Sequence, residues 1–89
     1  MMNEEVLFSQ LTELADKLGI SVREEYINLE EATGAGGLCR VEGKYILLLN
    51  SRAAVQEKNQ VAVRALRQFD LSNIYLKPFI RELLEGQEE

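Results

Sequence analysis

Apolar residues along this chain change their spacing several times, and each change marks an element. In residues 4–18, "EEVLFSQLTELADKL", Leu7, Leu11, Leu14 and Leu18 recur at i, i+4, i+7 and i+11, with Phe8 and Ala15 widening the stripe. That spacing predicts an amphipathic helix. Asn3 stands where a side chain can cap the first turn, and Glu4 and Glu5 suit the positive end of the helix dipole. Gly19 follows as a terminating glycine, and Ile20 can fold back on the last turn.

The period then falls to two. In "ISVREEYINL", 20–29, Ile20, Val22 and Tyr26 would face one way and Arg23 and Glu25 the other, with Glu24 out of pattern. This reads as a strand. "EEATGAGG", 30–37, reads as a loop. "LCRVEGKYILLLN", 38–50, reads as a hairpin turning at Glu42-Gly43, where the glycine supplies a left-handed residue. "YILLL" is apolar at successive positions, so it belongs in the middle of the sheet or is buried on both faces.

Helical spacing returns in 52–69, "RAAVQEKNQVAVRALRQF", with Asn50 or Ser51 as its cap. Val55, Ala62, Leu66 and Phe69 form one stripe, broadened by Val61 and Ala65. Glu57, Gln60, Arg64, Arg67 and Gln68 fall on the opposite side. "DLSNIY" reads as a turn. Pro78 can open a last helix, "PFIRELLE", whose Leu76, Phe79, Ile80, Leu83 and Leu84 would point inward, with Gly86 ending it. The order is α-β-β-β-α-α. The expected fold is α+β: a small three-stranded, mainly antiparallel sheet with helices packed on one face, in a single domain over 1–89.

Composition narrows the function. A chain of 89 residues buries only about 60–65% of its unfolded surface, so a second copy or a partner would add to a modest core. The net charge of −5 and pI near 4.8 argue against nucleic acid, which is held through basic surface. There is no histidine, which removes the commonest general base and most zinc sites. One cysteine cannot form an internal disulfide. No apolar run approaches the ~20 residues of a membrane span, and "MMNEEVLF" is acidic where a signal peptide is basic. The expectation is a cytoplasmic chain without membrane partner, metal, cofactor or catalytic set.

Few groups carry chemistry. Cys39 has no histidine to activate it. Strand alternation puts Leu38, Arg40 and Glu42 on one face and Cys39 and Val41 on the other. If the charged face is the wet one, Cys39 points inward as a small apolar filler. "TGAGG", 33–37, has the glycines of a phosphate loop but leads into a strand and not a helix, so it reads as a connection. Glu4-Glu5, Glu24-Glu25, Glu30-Glu31 and Glu88-Glu89 are adjacent pairs that rarely converge on one point, and they read as solvated. Arg52, Lys58, Arg64 and Arg67 all fall in the 52–69 segment, and together they read first as a solvated basic helix face. Arg64 and Arg67, one turn apart, with Arg40, are the candidates for gripping an anionic group. "FDLSNIYLKPFI", 69–80, is dense in apolar residues. The segment reads first as internal core; as the alternative, Leu71, Ile74, Tyr75, Leu76 and Phe79 are candidate contacts for a second copy, as a homodimer, or for another protein.

"LADKLGISV", a glycine-rich loop, the hairpin, "ILLLN" and then a helix together resemble the front of ImmA/IrrE-type metallopeptidases, small bacterial zincin-like domains, over residues 11–69. The resemblance implies a leading helix ending in an "LGI"-like turn, then a sheet, then a strand ending in asparagine. That strand leads to the helix that carries H-E-x-x-H in the family. Here "RALRQ", 64–68, stands in that register, with Arg64 and Gln68 in place of the histidine ligands and Ala65 in place of the glutamate base. A relative of this kind would bind no zinc and activate no water. The whole chain also looks similar to small bacterial proteins that carry a "GGLCRV-GK" hairpin, a likeness that implies no activity.

Overall fold

The computed structural model describes residues 3–26 and 36–85. Its elements are α1 (Glu4–Lys17), β1 (Ser21–Glu25), β2 (Gly36–Val41), β3 (Lys44–Asn50), α2 (Val55–Leu66) and α3 (Pro78–Glu85). The expected α-β-β-β-α-α order holds. α1 begins at its predicted cap, where the Val6 N–H donates to Asn3 Oδ1 at 2.8 Å. It ends at Gly19, which adopts φ of 81°, and the Ile20 N–H folds back on the Ala15 carbonyl at 2.9 Å.

β3 is the central strand, in the order β1-β3-β2. It pairs antiparallel with β2 and parallel with β1. The sheet is therefore mixed, where the hairpin alone had suggested a mainly antiparallel one. The chain leaves β1 and returns as β2 on the far side of the position that β3 fills, so β3 inserts beside β1 in the same direction. The hairpin turns through Glu42 and Gly43, both left-handed, at φ of 52° and 82°. Two such residues in succession match the right-handed twist of the flanking strands.

Register decides which residues meet the core. Leu47 pairs with Val22 on one side and Leu38 on the other, and Leu49 pairs with Glu24 and Gly36. Residues directly paired share a face, so Leu38, Leu47, Leu49 and Val22 all point to the side covered by α1 and α2. They join one core with Leu11, Leu14 and Ala15 of α1, Val61, Ala62, Ala65 and Leu66 of α2, and Ile80 and Leu84 of α3. The alternate set, Ile46 and Leu48, lies on the open face and is only half-buried. The consecutive apolar run marks a central strand, as expected, but only one of its faces is sealed.

Two boundaries differ from expectation. α2 starts at Val55, not at residue 52, because Asn50 caps a turn ahead of the helix: the Arg52 N–H donates to its Oδ1 at 3.0 Å. Ala54 then occupies the cap position, and its N–H donates to Glu57 Oε1 at 3.3 Å, a single reciprocal bond from the first turn. Gly36 and Gly37 belong to β2 and not to the preceding loop, while 30–35 fall outside the described residues. Gly36 has φ of 136°, and a Cβ there would sit 2.0 Å from the Leu48 carbonyl oxygen. Glycine is required here by a close approach of two backbones, not by flexibility.

Candidate functional site

The face of β2 that meets the helices is the reverse of the one expected. Leu38 packs against the core, while Cys39 is exposed and Val41 is 51% exposed. Arg40 shares Leu38's face, and its guanidinium lies over the Tyr45 ring, 5.2 Å from the centroid. Tyr45 in turn meets Phe69 edge-on at 5.0 Å. An arginine can occupy the inner face at this edge because its stem covers an aromatic ring while its head stays wet. Cys39 is thus not buried filler, and Arg40 does not mark the wet face.

Glu24 also has a place. It projects to the helix side, where Lys58 Nζ donates to its Oε1 at 2.6 Å and lies 5.9 Å from the Phe8 ring centroid. The Lys58 side chain is largely covered. Lys58 therefore ties α2 to β1 and α1 and is not part of a solvated basic face. On the other side of β1, Arg23 and Glu25 pair at 3.0 Å. Tyr26, expected to share a face with Ile20 and Val22, is exposed beyond the end of β1, with the Arg52 guanidinium 5.4 Å from its ring centroid.

Arg64 and Arg67 do come together. Both line an open groove of about 350 Å³, with Leu7 of α1, Val63 of α2 and Leu83 of α3. Arg67 is already engaged, its guanidinium donating to the Leu83 main-chain carbonyl at 2.9 Å. It pins the end of α3 to α2. Arg64 is exposed and makes no ion pair among the described residues. Arg40 is not among the residues lining this groove. Among the described residues Arg64 is thus the unengaged cation of this groove, where the sequence suggested a cluster of two or three.

At the floor of the groove lies Asn59, 3% exposed. Its Nδ2 donates to the Glu4 main-chain carbonyl at 2.9 Å and to Glu4 Oε1 at 2.8 Å. Its Oδ1 is buried and accepts no hydrogen bond among the described residues. Asn59 spans α1 and α2, and Glu4, read from sequence as solvated, is its partner. The sequence did carry a signal: Asn59 sits at i+4 from Val55 and i−7 from Leu66, inside the apolar stripe.

Of the candidate contact residues, Leu71 and Leu76 are buried and Ile74 is half-buried against the core. Tyr75 is 78% and Phe79 50% exposed. Phe79 was expected to point inward with Ile80 and Leu84. α3 is short and amphipathic, and its core face is filled by those two residues, which leaves Phe79 at the rim. Close by, the Ser72 N–H donates to Asp70 Oδ1 at 3.0 Å. That bond, followed by the Ser72 hydroxyl, holds the Asp70 carboxyl below the usual aspartate value. Among the described residues no cluster of cysteine, aspartate and glutamate could hold a metal ion, and no helix is long and apolar enough to cross a membrane.

Comparison with protein-family models, with curated proteins and with solved structures finds no match for this chain.

Proposed function

We propose that this chain is a small, cytoplasmic, non-enzymatic protein-interaction domain from a bacterium, which self-associates and docks another protein. The observation that carries it is the aromatic pair Tyr75 and Phe79. They stand out in solvent from a segment whose Leu71, Leu76 and Ile80 are buried and whose Phe69 and Ile74 are half-buried against the core. Exposed aromatic rings beside a sealed core are the residues from which interface hot spots are built. A non-catalytic relative of the ImmA/IrrE-type domains would fit the same reading. The test uses the immobilised chain in bacterial extract. Proteins retained by the parent should be lost with the Tyr75→Glu, Phe79→Glu double variant, whose far-UV circular dichroism should be unchanged because both rings are half or more exposed. Identical retention by parent and variant would overturn the assignment.

A second reading is an anionic small molecule held in the groove, and it rests on Arg64, the groove cation that makes neither an ion pair nor a side-chain hydrogen bond among the described residues, whereas Arg67 is bonded to the Leu83 carbonyl. A thermal-shift screen of anionic metabolites tests it. A ligand at ten times its Kd should add about 1.4 kcal/mol, a shift of several degrees in a domain of this size. The shift should vanish in Arg64→Ala; a flat screen, or a hit indifferent to that substitution, removes the reading.

A further inference from the structure

We propose that the outer edge of β2, which pairs with no strand but β3 among the described residues, pairs antiparallel with the same edge of a second copy, joining two three-stranded sheets into one of six strands. This rests on the self-association proposed above. It assigns the contact between copies to the sheet edge and leaves Tyr75 and Phe79 for a different protein.

The two edges of the sheet are unlike. β1 carries Arg23, Glu24 and Glu25 along its five residues, and β2 carries only Arg40. Charge along an edge strand is a common guard against pairing, and β2 largely lacks it. A chain with a net charge of −5 repels its own copies, so their contact belongs where acid is absent, as it is from 36 to 41.

Backbone direction supplies the complementarity. The two-residue turn closes on the pair Val41–Lys44, so Val41, Cys39 and Gly37 exchange hydrogen bonds with β3. The N–H and C=O groups of Leu38 and Arg40 point outward, and no backbone bond from them to another element occurs among the described residues. An antiparallel edge is complementary to itself under a two-fold axis normal to the sheet. That axis keeps each face on its own side, so paired residues must share a face. Centred on Cys39, the register sets Leu38 against Arg40 of the second copy, with both pairs using those outward groups. It also sets Gly37, beside which a Cβ would meet nothing within 4 Å, against the half-exposed Val41 of the second copy. Centring on Arg40 would oppose like charges. With the β1 edge guarded, pairing stops at two copies and does not propagate into a filament.

In this register the two Cys39 residues form a non-hydrogen-bonded pair, with Cα atoms about 4.5 Å apart, inside the ~4.4–6.8 Å span that a disulfide bridges. The chain's one cysteine is thus a built-in reporter. Light scattering behind a sizing column, over a wide dilution series, should show a mass near twice 10.1 kDa at high concentration, falling on dilution. Diamide, which takes up the two thiol hydrogens, should then yield a covalent dimer with a concentration dependence that follows the mass. Arg40→Pro removes an outward N–H without touching the β3 ladder, and it should abolish both dimer and crosslink, while Arg40→Ala keeps them. Should Arg40→Pro fail to fold, slowed exchange of the Leu38 and Arg40 amides with rising parent concentration reports the same contact. A monomer at every concentration overturns the proposal. So does a dimer that neither crosslinks nor protects those amides. A dimer lost with Tyr75→Glu, Phe79→Glu but kept with Arg40→Pro overturns the edge contact and leaves the interaction domain standing.

Discussion

Replacing Asn59 by aspartate should destabilise this protein by about 3–5 kcal/mol at neutral pH, and much of that loss should be regained at acid pH. Asn59 is nearly closed off from solvent, and its amide nitrogen is committed to Glu4 twice, at the main-chain carbonyl and at the carboxylate. Aspartate removes that donor and places a buried negative charge against a second one. Burial and the Glu4 carboxylate both disfavour ionisation, so the new carboxyl is raised in the folded state above its unfolded value of ~3.9. A raised acid binds its proton more tightly when folded. The penalty is therefore complete above the raised pKa and fades as pH falls through it toward the unfolded value. The protonated acid can also donate one bond back to Glu4. Urea unfolding of parent and variant at pH 7 and pH 4.5 checks this through the difference between them. Asn59→Ala should lose stability by the same amount at both pH values, and Glu4→Gln should rescue part of the Asn59→Asp loss at pH 7 only. A pH-independent gap for Asn59→Asp would mean that residue 59 is not held against the Glu4 carboxylate.

Asn59 also shows how far such a site can be read from a chain. Its place within the Val55–Leu66 stripe marks it as a polar residue facing the core, but its partner is 55 positions away. No local pattern joins α2 to the first turn of α1. The Glu24–Lys58 pair is the same case. Glu24 is visibly out of phase in β1, and only packing reveals that Lys58 answers it across 34 positions. Elements set by local forces were legible: the Asn3 cap, the Gly19 stop, the Glu42-Gly43 turn, the central place of β3 and Pro78 as the first residue of α3. The direction of β3 relative to β1 was not, because it depends on how the chain returns after β1 and not on any residue within either strand.

The face of β2 that meets the core differs from the one alternation and charge predict, for a physical reason. Alternation separates Leu38 and Arg40 from Cys39 and Val41 but does not say which set is inside. Charge alone favours Arg40 outside. The structure decides through Leu38, which seals the core opposite Leu47, while Arg40 needs only an aromatic ring to lie on at the sheet's margin. The candidate site follows the same logic. Periodicity brought Arg64 and Arg67 to one side of α2 correctly. The free α3 carbonyl that engages Arg67 is a product of tertiary packing, and it leaves Arg64 as the member of the pair open to a ligand.

Gly36 and Gly37 are adjacent, yet substitution by alanine should separate them by several kcal/mol. At Gly37 a Cβ meets nothing within 4 Å, so Gly37→Ala should be neutral to mildly stabilising, by up to about 1 kcal/mol, as the unfolded chain loses freedom. At Gly36 the backbone is left-handed, and a Cβ would fall 2.0 Å from the Leu48 carbonyl oxygen and 2.9 Å from Leu49 Cα. The conformation alone costs an L-residue about 1–3 kcal/mol. The overlap adds to it, because both atoms belong to the central strand, whose backbone is fixed by β1 on its other side. The cheapest escape is for the first residues of β2 to lift away, which gives up the Gly36–Leu49 pairing and uncovers Leu49, a fully buried residue. Gly36→Ala should therefore lower stability by about 2–4 kcal/mol in urea unfolding and speed amide exchange at the Leu48–Leu49 end of β3 more than at the Tyr45–Ile46 end. Equal effects at 36 and 37 would show that the two strands do not approach so closely. The contrast also separates two uses of glycine in one motif: "GG" here looks like flexible linker in the sequence, and its first member works as the place where two strands are allowed to touch.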